Sequence, residues 1–423
     1  MRVLLLTPRF PYPPDRGDTV RSWGVLRALV QRHQVWLGCV DTRQPEREHL
    51  QEVRRLCEDV FVAVRCGWRN LVRGGLSLLR GKSLTEGYFE DPRIVRVLGE
   101  WSQRGRFDAV LTYSSSIARL AEGVECERRI LDLGDVDSAK WETYARRSLP
   151  PLRWLYGLEA RRVARLERRV SHAHDVSLLV NERERRKYVE RVPDVETGVL
   201  PTTVDLEAYP VPANPLPAEP VIGIVGSMFY KPNVRAVNWF GRHVWPLVQQ
   251  QVPGARWLIV GSRPAGSVRR WGQVPRVTVT GYVQDVRPYL ASMRVFVNAV
   301  DGDIGVQSKL VVAMATGRAA VVTPDTAAGV DYGDPPPFLI ASAPAAFADA
   351  VVRLLRDDAQ ARALGVRARA VVETNYATAD LGIRLERWLA GEMSMRERCS
   401  TAAAVACGRP VSAHGAEHEV LPI

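Results

Sequence analysis

The second half of the chain alternates short apolar runs with helical stretches, and this alternation constrains the fold more than any other feature. The apolar runs predict buried strands at 221–227, 256–261, 277–281 and 295–300. Parallel strands need crossover helices between them, so this order predicts a parallel sheet with helices packed on it. In such sheets ligands bind beyond the carboxyl ends of the strands.

The last of these strands leads through a glycine-containing loop into a helix that opens at Ser308. A helix start attracts anions, because its first N–H groups are unpaired and the helix dipole points at the ligand. The sequence therefore predicts an anion site at Gly305, Val306, Gln307 and Ser308, to which Lys309 adds a cation. The alternative is an ordinary strand-to-helix turn with Ser308 as its N-cap.

Composition sets the outer limits. A chain of 423 residues with 46% hydrophobic content can build two domains, each with its own core. The net charge of +11 favours an anionic partner without choosing among nucleic acid, an acidic membrane and a phosphorylated substrate. No nucleic-acid-binding motif occurs, so we expect no nucleic acid partner. The six cysteines are scattered without a CxxC pair, which favours a reducing cytoplasm over a disulfide or metal framework.

The first half repeats the strand–helix theme. It predicts a helix at 19–32 and strands at 2–7, 34–39, 60–64, 109–112, 129–132 and 176–180. We therefore expect an α/β protein of two Rossmann-like domains that face a cleft. The predicted divisions are an N-terminal domain at 1–205, a proline-rich linker at 206–220, a C-terminal domain at 221–375, a closing helix at 376–390 and a disordered tail at 391–423.

A long helix at 152–171 combines an apolar stripe with a crowd of arginines between 161 and 169. A solvated face is the commonest outcome for such a charge cluster, and docking on an anionic membrane is the second reading. No apolar run approaches the ~20 residues that a membrane span needs, so any membrane contact would be peripheral. His172 and His174 lie at the helix end on different faces, no acidic cluster accompanies them, and they predict no metal site.

Five segments resemble one protein family in the right order. They read RFPYPPDRGDTVRSW at 9–23, LDLGDVDSAKWETYA at 131–145, GSMFYKPNVRAVNWF at 226–240, VTGYVQDVRPYL at 279–290 and GVQSKLVVAMATGRAAVVTP at 305–324. Together they resemble glycosyltransferase family four, in its exosortase/PEP-CTERM-associated branch. The resemblance implies the GT-B fold and retaining transfer of a sugar from a nucleotide diphosphate sugar. The acceptor would be a glycan or a polyprenyl-linked sugar in exopolysaccharide or cell-surface glycan assembly, and neither metal nor cofactor would be needed.

The resemblance also implies roles for residues along the cleft. The donor phosphates would meet the loop of Arg16, Gly17 and Asp18, where glycine permits close approach. The remaining donor-binding residues would be Gly226, Ser227, Gly281, Tyr282 and Val283, with the nucleobase held by the main chain at 279–285. Arg21 is a further candidate for a phosphate or acceptor contact.

Asp135 and Asp137 follow a predicted strand and are the candidate catalytic residues. Each could orient the transferred sugar or its acceptor, and one could act as a base. The opposing interpretation is a solvated turn in which Asp137 caps the next helix.

The chain departs from the family pattern at three places. Val312 stands where the family has a glutamate that binds the donor ribose, and Ile304 stands where the upstream acid would fall, with Asp303 one residue away. The turn Pro-Asn-Gly-Val-Asp of the family contains Thr202 and Thr203 here. Two other functions therefore stay open, a non-catalytic relative that binds a nucleotide sugar or glycan and a nucleotide-sugar epimerase. A nicotinamide dehydrogenase is disfavoured, because no G-x-G-x-x-G follows the first strand.

Overall fold

A computed structural model describes residues 1–14, 16–65, 67–212, 216–302 and 307–392, without the side chains of 67–71. Within these residues the chain forms two parallel sheets, each flanked by helices. The predicted α/β class with two Rossmann-like domains is confirmed. None of the helices in these ranges is long and apolar enough to cross a membrane.

The first sheet has seven strands in the order β3-β2-β1-β4-β5-β6-β7. Its strands are β1 Arg2–Thr7, β2 Gln34–Asp41, β3 Asp59–Val64, β4 Phe107–Tyr113, β5 Cys126–Gly134, β6 Val176–Leu179 and β7 Thr197–Val199. The helices that accompany it are α1 Gly17–Leu29, α2 Arg47–Arg54, α3 Gly67–Leu79, α4 Leu84–Phe89, α5 Pro92–Gln103, α6 Ser115–Ala118, α7 Asp137–Arg146, α8 Leu152–His172 and α9 Glu182–Arg191.

The second sheet has six strands in the order β10-β9-β8-β11-β12-β13. Its strands are β8 Val221–Val225, β9 Arg256–Val260, β10 Val277–Val279, β11 Val295–Asn298, β12 Ala319–Val322 and β13 Leu339–Ile340. The remaining helices are α10 Lys231–Trp239, α11 Trp245–Gln251, α12 Gly266–Arg269, α13 Arg287–Ser292, α14 Ser308–Ala315, α15 Pro324–Ala327, α16 Pro344–Arg356, α17 Asp358–Asn375 and α18 Leu381–Ala390.

The central strands are apolar along almost their whole length. In β1, Val3, Leu4, Leu5 and Leu6 are all fully buried. Helices cover both faces of each parallel sheet, so neither face needs the polar residues of a half-exposed strand. This explains why continuous apolar runs located the strands in the sequence.

Three strands were missed from the sequence, namely β7, β12 and β13. They are only two to four residues long, and a run of that length carries little periodic signal. The predicted helix at 19–32 begins earlier and ends earlier, as α1. Its start is fixed by Thr19, whose hydroxyl accepts the Arg16 N–H at 3.0 Å.

The last helix, α18, returns to the first sheet. Trp388 packs against Gly198 of β7, where an added Cβ would lie 2.2 Å from the indole ring. Leu381 and Leu385 join the same core, and Glu386 contacts the His33 ring at 2.7 Å. The segment predicted as a closing helix at 376–390 thus covers the core of the first half.

The two halves meet where the carboxyl ends of their strands face each other. Asn181 Nδ2 donates to the Gly329 carbonyl at 3.1 Å, and the Glu182 N–H donates to the Asp331 carboxylate at 3.1 Å. Asn181 follows β6 of the first sheet, whereas Gly329 and Asp331 follow β12 of the second. These contacts close one side of the cleft in which both sets of loops lie.

Candidate functional site

Two glycines bring the ends of β8 and β9 into contact. Gly226 and Gly261 have φ values of +157° and +153°, which glycine adopts more readily than other residues. An added Cβ on Gly261 would lie 1.6 Å from the Gly226 carbonyl oxygen, so no other residue fits there. This close approach leaves a small-residue floor at the carboxyl edge of the second sheet.

The Lys309 side chain crosses this floor. An added Cβ on Gly226 would lie 3.6 Å from Lys309 Cδ, and the Lys309 ammonium hydrogen bonds to Asn233 Oδ1. No carboxylate of the described residues forms an ion pair with it. Burial lowers the pKa of Lys309 to about 7, because the charged form is poorly solvated. A bound anion would supply the missing counter-charge, and the site is therefore suited to an anion.

Buried amide side chains occur beside Lys309 and at the residues before its helix. Asn233 Nδ2 donates to the Ser227 carbonyl at 3.0 Å, which holds the loop after β8 against α10. Asn298 Nδ2 donates to Gln307 Oε1 at 3.3 Å, and both side chains are buried. Asn233, which contacts Lys309, and Gln307, two residues before it, are therefore both held by hydrogen bonds.

The helix α14 begins at Ser308, as predicted, but its N-cap is Gln307 and not Ser308. The Gln307 carbonyl accepts the Leu310 N–H at 2.8 Å, and no side chain caps this end of the helix. The alternative interpretation, in which Ser308 is the N-cap, is wrong on this point, because Ser308 is already the first residue of the helix. Gly305 and Val306, with Asp303 and Ile304, lie outside the described residues.

The predicted nucleobase segment forms the loop after β10. Gly281 has φ +73°, and an added Cβ would find no atom within 4 Å. Tyr282 is 77% exposed, whereas Val283 packs against the core. The main chain of this loop is thus presented on the surface.

In the first half, Arg16 and Gly17 lie exposed at the start of α1. Asp18 is engaged by two arginines, with Arg9 Nε at 2.8 Å and Arg16 Nε at 3.2 Å. An added Cβ on Gly17 would meet nothing within 4 Å, so the space beside it is open to a ligand. Arg21 is different, because its guanidinium is buried and paired with Asp132.

Asp135 and Asp137 come together around Lys140. The Lys140 ammonium lies 2.9 Å from Asp135 Oδ2 and 3.1 Å from Asp137 Oδ1. Burial acts to lower the pKa of Lys140, but the two carboxylates outweigh it and raise that pKa well above its usual value. The two carboxylates and the ammonium group form a cluster with a formal net charge of −1. Lys140 stays protonated in it.

Asp137, Lys140, Tyr144 and Arg147 are spaced three or four residues apart on α7 and its C-cap, so they share one face of the helix. Burial raises the pKa of Tyr230 in the loop after β8, and the charges of Tyr144, Lys140 and Asp135 also act on it. Arg147 packs on Gly302, where an added Cβ would lie 2.6 Å from the guanidinium. This face, the α7 stripe, therefore fronts the second half across the cleft.

Sequence reasoning missed Lys140 and the support beneath it. Glu167 of α8 accepts the Ser138 N–H at 3.0 Å and the Ser138 hydroxyl at 2.6 Å. Burial raises the pKa of Glu167 to about 7, and the charge of Asp137 acts in the same direction. Lys140 stands three residues after Asp137, a helical spacing that could have revealed it. Glu167 pairs across 29 residues and gave no local signal.

The structure also shows the surroundings of His172 and His174, at which the sequence predicts no metal site. Among the described residues no group of three or more His, Cys, Asp or Glu side chains could hold a metal ion. His172 Nε2 lies 3.4 Å from Asp194, and His174 Nδ1 contacts the Val170 carbonyl at 2.6 Å. Each of the two histidines therefore has a protein contact at the end of α8.

The two sheets define a GT-B fold, and the Lys309 region is its candidate anion site. Residues 219–357 match the family model described as glycosyl transferases group 1, and no curated protein matches the sequence. The fold is similar to that of sucrose-phosphate synthase from Thermosynechococcus elongatus, with a TM-score of 0.67 and 16% identity over 95% of this chain and 100% of that one.

Two further solved structures share this fold at low identity. Anabaena HepE in complex with UDP and glucose has a TM-score of 0.63 and 12% identity, over 92% of this chain and 99% of that one. TarM, known from S. aureus, has a TM-score of 0.65 and 9% identity, over 92% and 98% of the two chains. The chain thus contains a segment that matches the group 1 glycosyltransferase model, within a GT-B fold.

Proposed function

We propose that this protein is a retaining, metal-independent glycosyltransferase that uses a nucleotide diphosphate sugar. One observation carries the proposal, namely the mostly buried Lys309, which no carboxylate of the described residues neutralises. The nucleoside diphosphate is the leaving group of such a reaction, and the charge that develops on its phosphates needs a preorganised cation and N–H donors. Lys309 and the start of α14 supply both on the floor made by Gly226 and Gly261.

The two halves take different substrates in this proposal. The donor lies on the second sheet, with its base against the main chain of Gly281, Tyr282 and Val283. The loop of Arg16, Gly17 and Asp18 approaches the phosphates from the opposite side. The complex of HepE with UDP and glucose makes UDP the first nucleotide to test here.

The α7 stripe takes the reacting sugars. The carboxylates of Asp135 and Asp137 accept hydrogen bonds from sugar hydroxyls, and Lys140 donates one. The cluster's net negative charge also stabilises the positive charge that develops at the anomeric carbon during transfer. Asp135 and Asp137 act in this proposal as orienting and electrostatic groups, because Lys140 already engages both of them.

The finer assignments follow the resemblance of the five segments. These segments support membership of the exosortase-associated branch of glycosyltransferase family four. They also support a role in exopolysaccharide or cell-surface glycan assembly. The acceptor is then a glycan or a polyprenyl-linked sugar. Such acceptors are reached from the cytoplasm at an anionic membrane surface.

A second candidate rests on Val312. This side chain lies on α14, packs partly against the core and can accept no hydrogen bond from a ribose. A non-catalytic relative that binds a nucleotide sugar for a partner protein would tolerate this loss more easily than an enzyme.

Product analysis separates these functions. The protein is incubated with UDP- and GDP-sugars, with and without polyprenyl-phosphate-linked sugars, and the products are resolved by mass spectrometry. A transferase gives a longer glycan together with the nucleoside diphosphate. A binding protein gives a thermal shift without turnover, and an epimerase gives a changed sugar without an acceptor. Either of the last two results would replace the proposal.

A further inference from the structure

The turn between α7 and α8 exposes three large apolar side chains. Leu149 is 83% exposed, Leu152 49% and Trp154 70%. We call these the turn patch. Large apolar side chains exposed this close together in the chain mark a candidate site for another surface.

The charge around the turn patch has one sign. Arg146 and Arg153 are exposed beside it, and no acidic residue occurs from 143 to 158. A tryptophan next to arginines suits the boundary between lipid headgroups and acyl chains, because its ring is apolar and its N–H is polar. The patch therefore complements an anionic lipid surface in both polarity and charge.

The arginine-rich face of α8 does not offer the same combination. Its apolar side chains Val163, Leu166 and Val170 are buried in the protein core. Two of its arginines form surface ion pairs, Arg168 with Asp194 at 3.6 Å and Arg169 with Glu122 at 3.5 Å. The arginines in the middle of α8 can attract an anionic membrane over a distance. The apolar side chains there are buried and therefore cannot insert into the lipid.

A second exposed stripe lies on α3. Val72, Leu76 and Leu79 recur at spacings of four and three residues and therefore share a face, and Leu79 is 85% exposed. No acidic residue occurs from 67 to 85. The turn after α3 is tied to α8, because Arg162 donates to the Lys82 carbonyl at 2.8 Å.

The position of the turn patch links it to the cleft. Leu149 comes two residues after Arg147, the last member of the α7 stripe. A surface that covers the turn patch would therefore hold a lipid-linked substrate next to Lys140 and Tyr144. This continuity is what favours a membrane over a soluble protein partner.

We propose that an anionic membrane leaflet docks on the turn patch, with the α3 stripe as a second contact. The lipid-linked nature of the acceptor rests on the proposed function, but docking itself needs no turnover. A second copy of the chain is a poorer occupant, because a two-fold contact would bring the same arginines against each other.

Vesicle sedimentation of the full chain tests the proposal. Vesicles of equimolar phosphatidylglycerol and phosphatidylcholine are compared with phosphatidylcholine alone. We expect the wild type to pellet with the anionic vesicles only, and less as salt rises, because surface charges are screened over ~8 Å at physiological ionic strength. The double variant Leu152→Ser, Trp154→Ser should bind these vesicles at least tenfold more weakly.

Val366→Ser is the matched control, because Val366 is 70% exposed, as Trp154 is, and lies in the second half. It should pellet like the wild type. UDP binding in solution and the melting temperature should be the same for all three proteins, which separates a failure of docking from a failure of the proposed function. Equal pelleting of the double variant and the wild type would overturn the proposal. So would equal pelleting with neutral vesicles, or a dimer in solution that the double variant dissociates.

Discussion

Arg21 of α1 and Asp132 of β5 form a buried, two-point ion pair. Nε lies 2.8 Å from Oδ2 and Nη2 lies 2.6 Å from Oδ1. The same carboxylate accepts the Gly134 N–H at 3.1 Å. Asp132 thus fixes the start of α1, which carries Gly17, relative to the turn that carries Asp135. Both parts of the N-terminal candidate site depend on this pair.

Arg21→Met should destabilise the protein strongly. The substitution leaves the Asp132 carboxylate buried without its partner, which costs about 3–5 kcal/mol. Urea unfolding measures the loss. Arg16→Met is the control, because the Arg16–Asp18 pair is exposed and such pairs contribute about 0–1 kcal/mol. Equal losses in the two variants would show that the buried pair has no special structural role.

Glu167→Gln should change how stability depends on pH. In wild type the folded pKa is raised from 4.5 to about 7, so between these values the unfolded chain releases a proton that the folded chain keeps. The free energy of unfolding therefore falls as pH rises through this window, by about 3 kcal/mol for this group. The glutamine cannot ionise, and the decline should be smaller by that amount.

Urea unfolding of wild type and Glu167→Gln from pH 4.5 to 8 gives the comparison. The variant should gain on the wild type as pH rises, since its amide can still accept the Ser138 N–H. Two parallel pH profiles would mean that the pKa of Glu167 is the same in the folded and in the unfolded protein.

Most of the fold could be predicted from sequence, whereas only part of the candidate site could. The strand at 2–7 matches β1 residue for residue, because a buried parallel strand is apolar throughout. The short strands β7, β12 and β13 carry too few residues for a pattern. Lys309 could be proposed as a site residue from the sequence because it follows a predicted helix start, which is a local signal.

Long-range pairs explain what sequence reasoning missed. Arg21 was grouped with candidate ligands, yet its partner Asp132 lies 111 residues away and takes it out of solvent. The proximity of Tyr230 to Lys140 depends on how the two halves face each other, and no local pattern encodes that. The exposure of Trp154 could not be predicted either. It lies at the start of α8, a helix whose later apolar residues Val163 and Leu166 are buried in the core.

Gly17→Ala should weaken donor binding without affecting the fold. The added methyl group meets no protein atom within 4 Å, so stability should be unchanged. In the proposed function it would occupy the space through which the donor phosphates approach, and UDP affinity should then fall several-fold. Gly99→Ala is the control, because Gly99 lies in α5, also with open space around it. Thermal melting and calorimetric titration measure both effects, and unchanged UDP affinity in Gly17→Ala would remove that loop from the donor site.

Val312→Glu should raise donor affinity if the ribose pocket is otherwise intact. A carboxylate at this position of α14 would accept hydrogen bonds from the ribose hydroxyls, each worth about 1.5–3 kcal/mol. Val312→Leu is the apolar control and should bind UDP as the wild type does. A lower melting temperature without any gain in affinity would mean that the pocket has been rebuilt, because the new carboxylate would then be buried without a partner.

The most direct test of the account is calorimetric titration of the full chain with UDP at pH 8, in buffers of different ionisation enthalpy. Lys309, with a pKa of about 7, is mostly neutral before binding, and a diphosphate beside it should draw in close to one proton. Lys309→Ala should lose this proton uptake and at least tenfold in affinity, whereas Lys82→Ala, an exposed pair with Glu90, should behave as the wild type. Absence of UDP binding, or binding without proton uptake and with full affinity in Lys309→Ala, would contradict the nucleotide-sugar site.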